Sequence, residues 1–416
     1  MVTTNYRRTA AALVIGALLT LAGCGGYDNN YTPPTFTPFE FNFAVAVGDF
    51  NGDGQPDVID GRTLHQNMDP GESGSLNLYL HNNGAGSGYG TPMPTAAGIE
   101  PLFLATADID GDGLADVVSA SADDGKLFVY LNQMATPGTF KAPLQLDSPG
   151  ASQVVIADLN GDTKPDLVSA DFGVSIFLQD PAKPGSFLAP ASLSSGGASW
   201  VAVGDLNGDG LPDLVVTDAS GVHVYIHSSS PTSATFLPAV TVFTQTPNQA
   251  FIAANYVAIA DVDGDGLNDL VITDPGPYGP TPPTVNVLIQ NRSAHGTFLA
   301  PASYSLPSGH VAQSIVVADL DGDGALDLIV GDDAGVNVLL QNPGAAGTFA
   351  AASYYPVAGG AFQVAVADVD NDGNLDIVTS NSAMSTLTSG TLTTQPGVLL
   401  NSGATPVTFM PVQNLP

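Results

Sequence analysis

The stretch DVDGDGLND, from Asp261 to Asp269, places four aspartates within nine residues. Carboxylates this close together repel one another, so the segment needs something that relieves the repulsion. Taken alone, it is compatible with three structures: a solvated acidic loop, half of a helix-loop-helix calcium site, or one unit of a repeat. The rest of the chain decides among them.

The nine-residue pattern recurs at intervals of 47 to 59 residues. Seven copies begin at Asp49, Asp108, Asp158, Asp205, Asp261, Asp319 and Asp368. Apolar segments that alternate with a period of two precede and follow each copy, a third strand-like segment comes next, and a fourth opens with a phrase such as GTFLAP (296–301). Four short strands that recur at about 50 residues are typical of propeller blades. We therefore predict an all-β fold, a seven-bladed β-propeller with four antiparallel strands per blade.

Composition agrees with a turn-rich β protein. The 416 residues carry a formal net charge of −32 with only eight Lys and Arg, and all but three of the acidic residues are Asp. Hydrophobic residues make up 44% of the chain, which excludes a disordered acidic tail. Asp, Gly and Pro favour turns over helices. A chain this acidic is not expected to bind nucleic acid, whereas cations are natural partners.

The spacing D-x-[DN]-x-D-G-x-x-D predicts a metal-binding loop. It offers side-chain oxygens at positions 1, 3, 5 and 9 and a backbone carbonyl at position 7, and glycine at position 6 permits a sharp turn. Ca²⁺ takes six to eight oxygen ligands, so the loop suits it better than Mg²⁺, and we expect up to seven calcium ions. The predicted ligands, loop by loop, are Asp49, Asn51, Asp53, Gln55 and Asp57; Asp108, Asp110, Asp112, Leu114 and Asp116; Asp158, Asn160, Asp162, Lys164 and Asp166; Asp205, Asn207, Asp209, Leu211 and Asp213; Asp261, Asp263, Asp265, Leu267 and Asp269; Asp319, Asp321, Asp323, Ala325 and Asp327; Asp368, Asp370, Asp372, Asn374 and Asp376.

Two alternatives to a propeller calcium loop can be compared with the sequence. An EF-hand needs flanking helices and an acid at position 12, but the flanks alternate like strands, and six of the seven residues at position 12 are not acidic. Aspartates that only form β-turns do not require three or four carboxylates in a fixed register. Two loops depart from the pattern: Thr163 and Lys164 stand at positions 6 and 7 of the third loop, and Asn371 replaces a glycine in the seventh. We expect the third loop to be the weakest.

These residues resemble the FG-GAP and VCBS repeats, the calcium-binding blades of integrin α-subunit heads and of many bacterial secreted proteins. The resemblance covers roughly residues 42–416 and implies blade architecture and calcium binding. It implies no particular ligand.

The N-terminus resembles a bacterial lipoprotein signal. Arg7 and Arg8 precede an apolar segment that ends in Leu21-Ala22-Gly23-Cys24, which is similar to a lipobox, and Cys24 is the only cysteine of the chain. We predict a signal peptide at 1–23, a lipidated Cys24 with a tether over 24–40, and the propeller over 41–416. The predicted location is extracytoplasmic, with a membrane contact through the lipid only; Gly25 favours the outer membrane. The segment PTFTPFEF (34–41) is either an extra outer strand that latches the ring or part of the tether.

Label the strands of each blade A to D from the ring axis outward. The calcium loop joins A to B, so the B–C loops and the links between blades lie on the other side of the disc, the non-calcium face. Four long insertions fall on that face, at 60–75, 243–256, 274–284 and 380–397. Loops on a rigid scaffold are common binding sites. We expect a protein or glycan ligand there, with His65, Asn67, Tyr278, Asn248 and Gln249 as candidate contacts.

Catalysis finds little support in the sequence. The six histidines show no metal-binding spacing, and no nucleophile elbow or phosphate loop occurs. We therefore expect a monomeric binding or adhesion module rather than an enzyme. The alternatives are a carbohydrate-active enzyme similar to polysaccharide lyases and a structural component of an envelope complex, because fold alone does not choose among them.

Overall fold

The computed structural model describes residues 39–65, 73–82, 88–193, 196–228, 234–244, 256–274, 282–307, 310–381, 385–386, 395–404 and 407–416. Every regular element in these ranges is a β-strand. No helix in this part of the chain is long and apolar enough to cross a membrane.

The strands fall into seven sheets, each formed by consecutive stretches of the chain. Blade by blade, they are β1 (Phe39–Gly48), β2 (Asp57–His65), β3 (Ser73–Tyr79) and β4 (Met93–Ala97); β5 (Pro101–Ala107), β6 (Asp116–Ser121), β7 (Lys126–Tyr130) and β8 (Leu144–Asp147); β9 (Gln153–Ala157), β10 (Asp166–Ala170), β11 (Val174–Phe177) and β12 (Ala191–Leu193); β13 (Trp200–Gly204), β14 (Asp213–Asp218), β15 (Gly221–Tyr225) and β16 (Val240–Thr244); β17 (Val257–Ala260), β18 (Asp269–Asp274), β19 (Thr284–Leu288) and β20 (Ala302–Ser305); β21 (Ala312–Ala318), β22 (Asp327–Asp332), β23 (Gly335–Leu339) and β24 (Ser353–Pro356); β25 (Val364–Ala367), β26 (Asp376–Thr379), β28 (Gly397–Leu399) and β29 (Gln413–Asn414). A short strand, β27 (Ser385–Thr386), pairs with the start of β1.

Each blade is an antiparallel meander of four strands, which confirms the predicted seven-bladed propeller. The second strand is the most deeply buried: every residue of β6, β10 and β22 is buried. The outer strands are largely exposed, as in β8 and β12. This gradient explains the sequence pattern, because a strand covered on both faces needs an almost continuous apolar run.

Seven hydrophobic clusters hold the ring together, one at each seam between neighbouring blades. The seam between blades 7 and 1 contains Val45, Val58, Val378 and Val398, all 2% exposed or less. Burying one such side chain contributes about 1.5–3 kcal/mol. The ring is therefore closed by packing of the same kind as every other seam.

The two termini settle which strands close the ring. Blade 7 is completed by β29, in which Gln413 and Asn414 pair with β28. Residues Phe39 to Phe41 of the PTFTPFEF segment lie in β1, the inner strand of blade 1, where they face Thr63 to His65. They form no outer strand, and this pairing starts the propeller at Phe39 rather than at the predicted residue 41. The signal sequence, Cys24 and residues 34–38 lie outside the described residues.

The Thr/Ser-Phe phrases were predicted to open the fourth strand, but they precede it. Each phrase contributes one aromatic residue to a single isolated bridge, as in Asn132 with Phe140 and Gln290 with Phe298. The outer strand starts several residues later, at Leu144 in blade 2. The phrase therefore ends the turn between the third and fourth strands.

Candidate metal centres

All seven motifs occupy the same place in their blades. Each motif connects the inner strand to the second strand, and its ninth residue is the first residue of that second strand, as Asp57 is in β2 and Asp269 in β18. Strands on both sides exclude an EF-hand, which needs helices. The seven loops lie on one face of the disc because the strands they connect run in the same direction in every blade.

Hydrogen bonds to the backbone shape each loop. The position 1 carboxylate accepts the N–H of position 6 in all seven loops, at 2.7–3.0 Å. The position 5 carboxylate accepts the N–H of position 7, also in all seven, at 2.8–3.0 Å. These bonds alone, without a cation, fold the loop around its own carboxylates. A carboxylate has about four acceptor sites, so further ligation remains open to both groups.

The ninth residue has a structural role that the sequence did not reveal. One of its carboxylate oxygens accepts the N–H of position 2, at 2.7–3.0 Å, and the other accepts an N–H at the end of the third strand, at 2.6–2.8 Å. All seven residues are at most 1% exposed. Position 9 therefore joins the loop to two strands of its blade.

Burial of these aspartates changes their acidity. Desolvation raises the pKa of Asp57, Asp116, Asp166, Asp269, Asp327 and Asp376 to about 6, although the two backbone N–H bonds on each oppose the shift. The pKa of Asp213 is raised for the same reason. Carboxylates that are costly to ionise in isolation favour a nearby cation.

The residue at position 3 divides the loops into two groups. Loops 1, 3 and 4 have Asn, whose amide donates to the position 5 carboxylate at 3.0–3.4 Å. Loops 2, 5, 6 and 7 have Asp and bring three carboxylates within 4.8 Å of one another: Asp108, Asp110 and Asp116; Asp261, Asp263 and Asp265; Asp319, Asp321 and Asp327; Asp368, Asp370 and Asp376. The first group thus has an amide donor beside the position 5 carboxylate, whereas the second has another carboxylate there.

The donor set fits a hard divalent cation. Asp110 Oδ1 and Asp370 Oδ1, both at position 3, are buried oxygens without a hydrogen-bond partner, and so is Gln55 Oε1 at position 7 of loop 1. An unsatisfied buried oxygen costs about 1–3 kcal/mol, which a cation in the loop would recover. Carboxylate and carbonyl oxygens in this number suit Ca²⁺.

Three basic side chains lie near the loops. Lys141 Nζ is 3.0 Å from Asp110 Oδ2, and Arg292 reaches both Asp263 and Asp265. Lys164, at position 7 of loop 3, donates instead to the carbonyl of Pro181 at 2.8 Å and points away from the carboxylates. The contacts of Lys141 and Arg292 were not predicted from the sequence.

The two irregular loops keep their backbone path. Asn371 has φ of 60°, as its replacement of a glycine requires, and Thr163 has φ of 68°. A β-branched residue is strained in this region. Thr163 N–H still donates to Asp158 at 2.7 Å, so loop 3 has the same shape as the others at a cost in strain.

A row of amides at the ends of the third strands connects four of the seven loops to the following blade. Asn132, Gln179, Gln341 and Asn401 donate to the position 2 carbonyl of the preceding blade's loop, at 2.8–3.0 Å. His81 and His227 stand at this position in blades 1 and 4, and their ring nitrogens have no partner. A sequence signal marks most of these residues: the Phe or Tyr of the following phrase lies eight residues further along the chain, as Phe140 does from Asn132.

On the other face, aromatic side chains surround the ring axis. The inner strands of blades 2 to 5 line a cavity of about 420 Å³. Trp200 and Phe103 lie at its non-calcium end, where Trp200 makes edge-to-face contacts with Phe103 at 5.2 Å and with the buried Tyr256 at 4.9 Å. Phe43 and Phe362 form a similar pair between blades 1 and 7, at 5.5 Å.

The predicted contact residues lie mostly outside the described part of the chain. Asn67, Tyr278, Asn248 and Gln249 belong to stretches that the structure does not describe. His65 is the last residue of β2, paired with Phe39. The first predicted insertion is shorter than expected, because residues 60–65 lie in β2 and residues 73–75 lie in β3.

Comparison with known proteins identifies the class of this propeller. The family model for FG-GAP-like repeats matches residues 108–169, 158–216, 205–272, 261–330 and 319–379, and that for the FG-GAP repeat matches residues 41–59. The chain belongs to the FG-GAP repeat family.

Among curated proteins, human integrin alpha-7 is 29% identical over 140 residues, which is 31% of this chain and 12% of that protein. The chain thus matches a small part of the integrin. Two solved structures share the fold: Sqt1 from Chaetomium thermophilum (TM-score 0.52, 14% identity, 82% of this chain and 94% of that one) and an Agrocybe aegerita lectin that recognises non-reducing terminal N-acetylglucosamine (TM-score 0.50, 21% identity, 77% and 80%).

Proposed function

We propose that this protein is a calcium-stabilised binding module that is held outside the cytoplasm by a lipid on Cys24 and takes a protein or glycan ligand on its non-calcium face. The proposal has three parts, namely the metal, the ligand face and the anchor, and each has its own test.

The calcium part is supported by the clustered acids. In each loop the side chains at positions 1, 3, 5 and 9 and the carbonyl at position 7 would hold one Ca²⁺, and the ion would neutralise carboxylates that otherwise repel. Each loop is already joined to its own blade through position 9, and loops 1, 2, 5 and 6 are also joined to the next blade through the amide row. Calcium would therefore stabilise the seams as well as the loops.

The ligand part is carried by one observation: the only tryptophan of the chain, Trp200, is partly exposed at the non-calcium end of the axial cavity. Aromatic side chains with a polar edge are enriched at binding sites, and Trp and Tyr dominate binding hot spots. Trp200 Nε1 donates to the carbonyl of Val257 at 3.0 Å, which fixes the orientation of the ring. A fixed, partly exposed aromatic face is suited to contact a ligand.

Glycans are the first ligands to test. The Agrocybe aegerita lectin shares the propeller fold and recognises a terminal sugar. The direct experiment is a glycan array run with calcium and with chelator, followed by titration of the hits against the intrinsic fluorescence of Trp200. Calcium-dependent hits that shift the Trp200 emission, and that are lost in Trp200→Ala while this variant still melts cooperatively, support the site. No array hit, together with specific capture of a protein partner that protects this face, would assign the ligand to the protein class.

Binding is favoured over catalysis by the most suggestive polar cluster among the described residues. His223 Nε2 lies 3.0 Å from both Asp218 Oδ1 and Ser220 Oγ. A Ser-His-Asp relay needs the acid and the serine on different ring nitrogens, so this arrangement does not activate the serine. Release of reducing or unsaturated sugar ends from any array hit would instead support the alternative, a carbohydrate-active enzyme.

The anchor has a separate test. Cys24→Ser should move the protein from the membrane fraction to the soluble extracytoplasmic fraction and abolish incorporation of labelled palmitate. Retention of Cys24→Ser in the membrane fraction would contradict lipid anchoring.

A further inference from the structure

Loops 2, 5 and 6 form a natural comparison within one molecule. They share the same residues at positions 1, 3, 4, 5 and 6, in the sequences DIDGDG, DVDGDG and DLDGDG. Their backbones are held alike: the position 6 N–H reaches the position 1 carboxylate at 2.9, 2.8 and 3.0 Å. The ligand residues and the position 6 hydrogen bond are thus the same in the three loops, whereas the side chains that lie against their carboxylates differ.

The surroundings of loop 5 contain a fixed positive charge. The Arg292 guanidinium donates through Nε to Asp265 Oδ2, and its NH2 group lies 3.4 Å from Asp263 Oδ2. The other oxygens of these two acids accept backbone N–H groups within the loop. Arg292 thus occupies the carboxylate oxygens that are left over for a cation.

The other two loops lack this clamp. In loop 2, Lys141 contacts a single oxygen, Asp110 Oδ2, and in loop 6 no basic side chain of the described residues makes an ion pair with Asp319, Asp321 or Asp323. The residues that stand in the turns of other blades where Arg292 stands in blade 5 are uncharged: Met134, Pro181, Pro343 and Gly403.

We propose that Arg292 is a built-in competitor of calcium at loop 5, so that loop 6 fills at lower calcium than loop 5, with loop 2 between them. The proposal rests on the calcium function proposed above. Calcium and the guanidinium require the same oxygens, and two positive groups there would repel each other. Binding at loop 5 therefore requires the arginine to leave. Its side chain is 67% exposed, which leaves it room to move into solvent.

The size of the effect follows from the ion pair that is lost. Loss of an exposed ion pair of this kind changes the Kd by up to about fivefold. Removal of Arg292 should lower the calcium midpoint of loop 5 by about that factor and leave loop 6 unchanged. Arg292→Lys keeps the charge but cannot bridge two carboxylates. The calcium midpoint of its loop 5 should therefore lie between the midpoint of wild type and that of a variant without the charge.

The test reads single loops in the full-length protein by NMR. The backbone amides of Gly266 and Gly324 each donate to the position 1 carboxylate of their own loop, so each reports one site. CaCl₂ is titrated into wild type, Arg292→Gln, Arg292→Lys and Lys183→Gln, at constant ionic strength. Lys183 is the matched control because it lies in the corresponding turn of blade 3 and makes no ion pair with a described residue.

In wild type we expect the Gly324 midpoint at about one fifth of the calcium concentration of the Gly266 midpoint. Arg292→Gln should bring the two midpoints together, and Lys183→Gln should leave both in place. Equal midpoints in wild type, or a Gly266 midpoint that Arg292→Gln does not lower, would overturn the competition while leaving calcium binding intact. If neither glycine responds to millimolar calcium in any variant, the calcium function itself fails along with the competition.

Discussion

The buried aspartate at position 9 should stabilise the fold whether or not metal is present. In loop 6, Asp327 is 1% exposed, and its two oxygens accept the N–H groups of Leu320 at 2.9 Å and Gln341 at 2.8 Å. In Asp327→Asn one oxygen still accepts, but the new NH₂ group faces the second N–H. That leaves a buried donor without a partner, at a cost of about 1–3 kcal/mol, in addition to the lost bond of about 1 kcal/mol. The variants are compared at pH 5, below the raised pKa of Asp327, where ionisation of the buried acid does not offset this cost in the metal-free protein.

Asp323 at position 5 is the matched control. It is exposed, and the backbone bond that its carboxylate accepts, from Ala325 N–H at 2.8 Å, can be accepted equally well by the oxygen of an asparagine. In Asp323→Asn the fold should therefore be unaffected without calcium, and only the charge available to the metal decreases. The two variants separate the structural role of position 9 from the role of the loop's exposed acids.

The assay is thermal melting of both variants and wild type, with calcium and after its removal. A domain of this size loses about 1–2 °C for each kcal/mol. Asp327→Asn should melt about 2–8 °C below wild type in both conditions, and Asp323→Asn should melt below wild type only with calcium. If Asp327→Asn melts like wild type once calcium is removed, the two buried bonds do not stabilise the blade and the reasoning is refuted.

Three further predictions concern other parts of the scaffold. Thr163→Gly should raise the stability by about 1 kcal/mol, because relief of the strained φ exceeds the entropy that glycine adds to the unfolded chain; an unchanged or lower urea midpoint would contradict the strain. Asn132→Ala should lower the free energy of unfolding by about 2–4 kcal/mol, because the Asn132 amide donates to Phe50 O at 2.8 Å and to Ala115 O at 3.0 Å in a buried seam. A urea midpoint equal to that of wild type would show that the amide row does not hold the blades together. The pH dependence of stability follows from the position 9 acids, whose pKa is about 6 in the metal-free fold and 3.8 in the unfolded chain. The fold binds these protons more tightly than the unfolded chain does, so the metal-free protein loses stability as pH rises from about 4 to 6. The gap in melting temperature between calcium-loaded and metal-free protein should therefore widen from pH 5 to pH 7, and a constant gap would contradict this.

Much of the fold could be predicted because the repeated motif lies at the same position in every blade. The alternation around DVDGDGLND and its six copies determines strand number, loop position and the path of the chain. The limits of local pattern show at the N-terminus, where Phe39 to Phe41 look like an outer-strand phrase but pair in the inner strand of blade 1. The strand that this segment joins depends on which strand edge is still unpaired when the ring closes, and a local sequence pattern does not contain that information.

The site was predicted in its ligands but not in its connections. The motif identifies Asp269 as a candidate ligand, yet its bond to Gln290 N–H spans 21 residues and exists only once three strands are assembled. The contact of Arg292 with Asp263 similarly depends on the turn between two strands lying over the loop. Spacing predicts chemistry within a loop, whereas contacts between loops follow from the packing of the blade.

The central claim is that calcium in the loops fastens the blades, and the melting temperature with and without calcium tests it most directly. With Kd near 1 mM, which is typical of extracellular sites, 10 mM calcium contributes about 1.4 kcal/mol for each occupied loop and about 10 kcal/mol over seven. At about 1–2 °C for each kcal/mol, the protein should melt about 10–20 °C higher in 10 mM calcium than in excess chelator, and far less of this increase should appear with magnesium. A melting temperature that does not differ between calcium and chelator would contradict the claim.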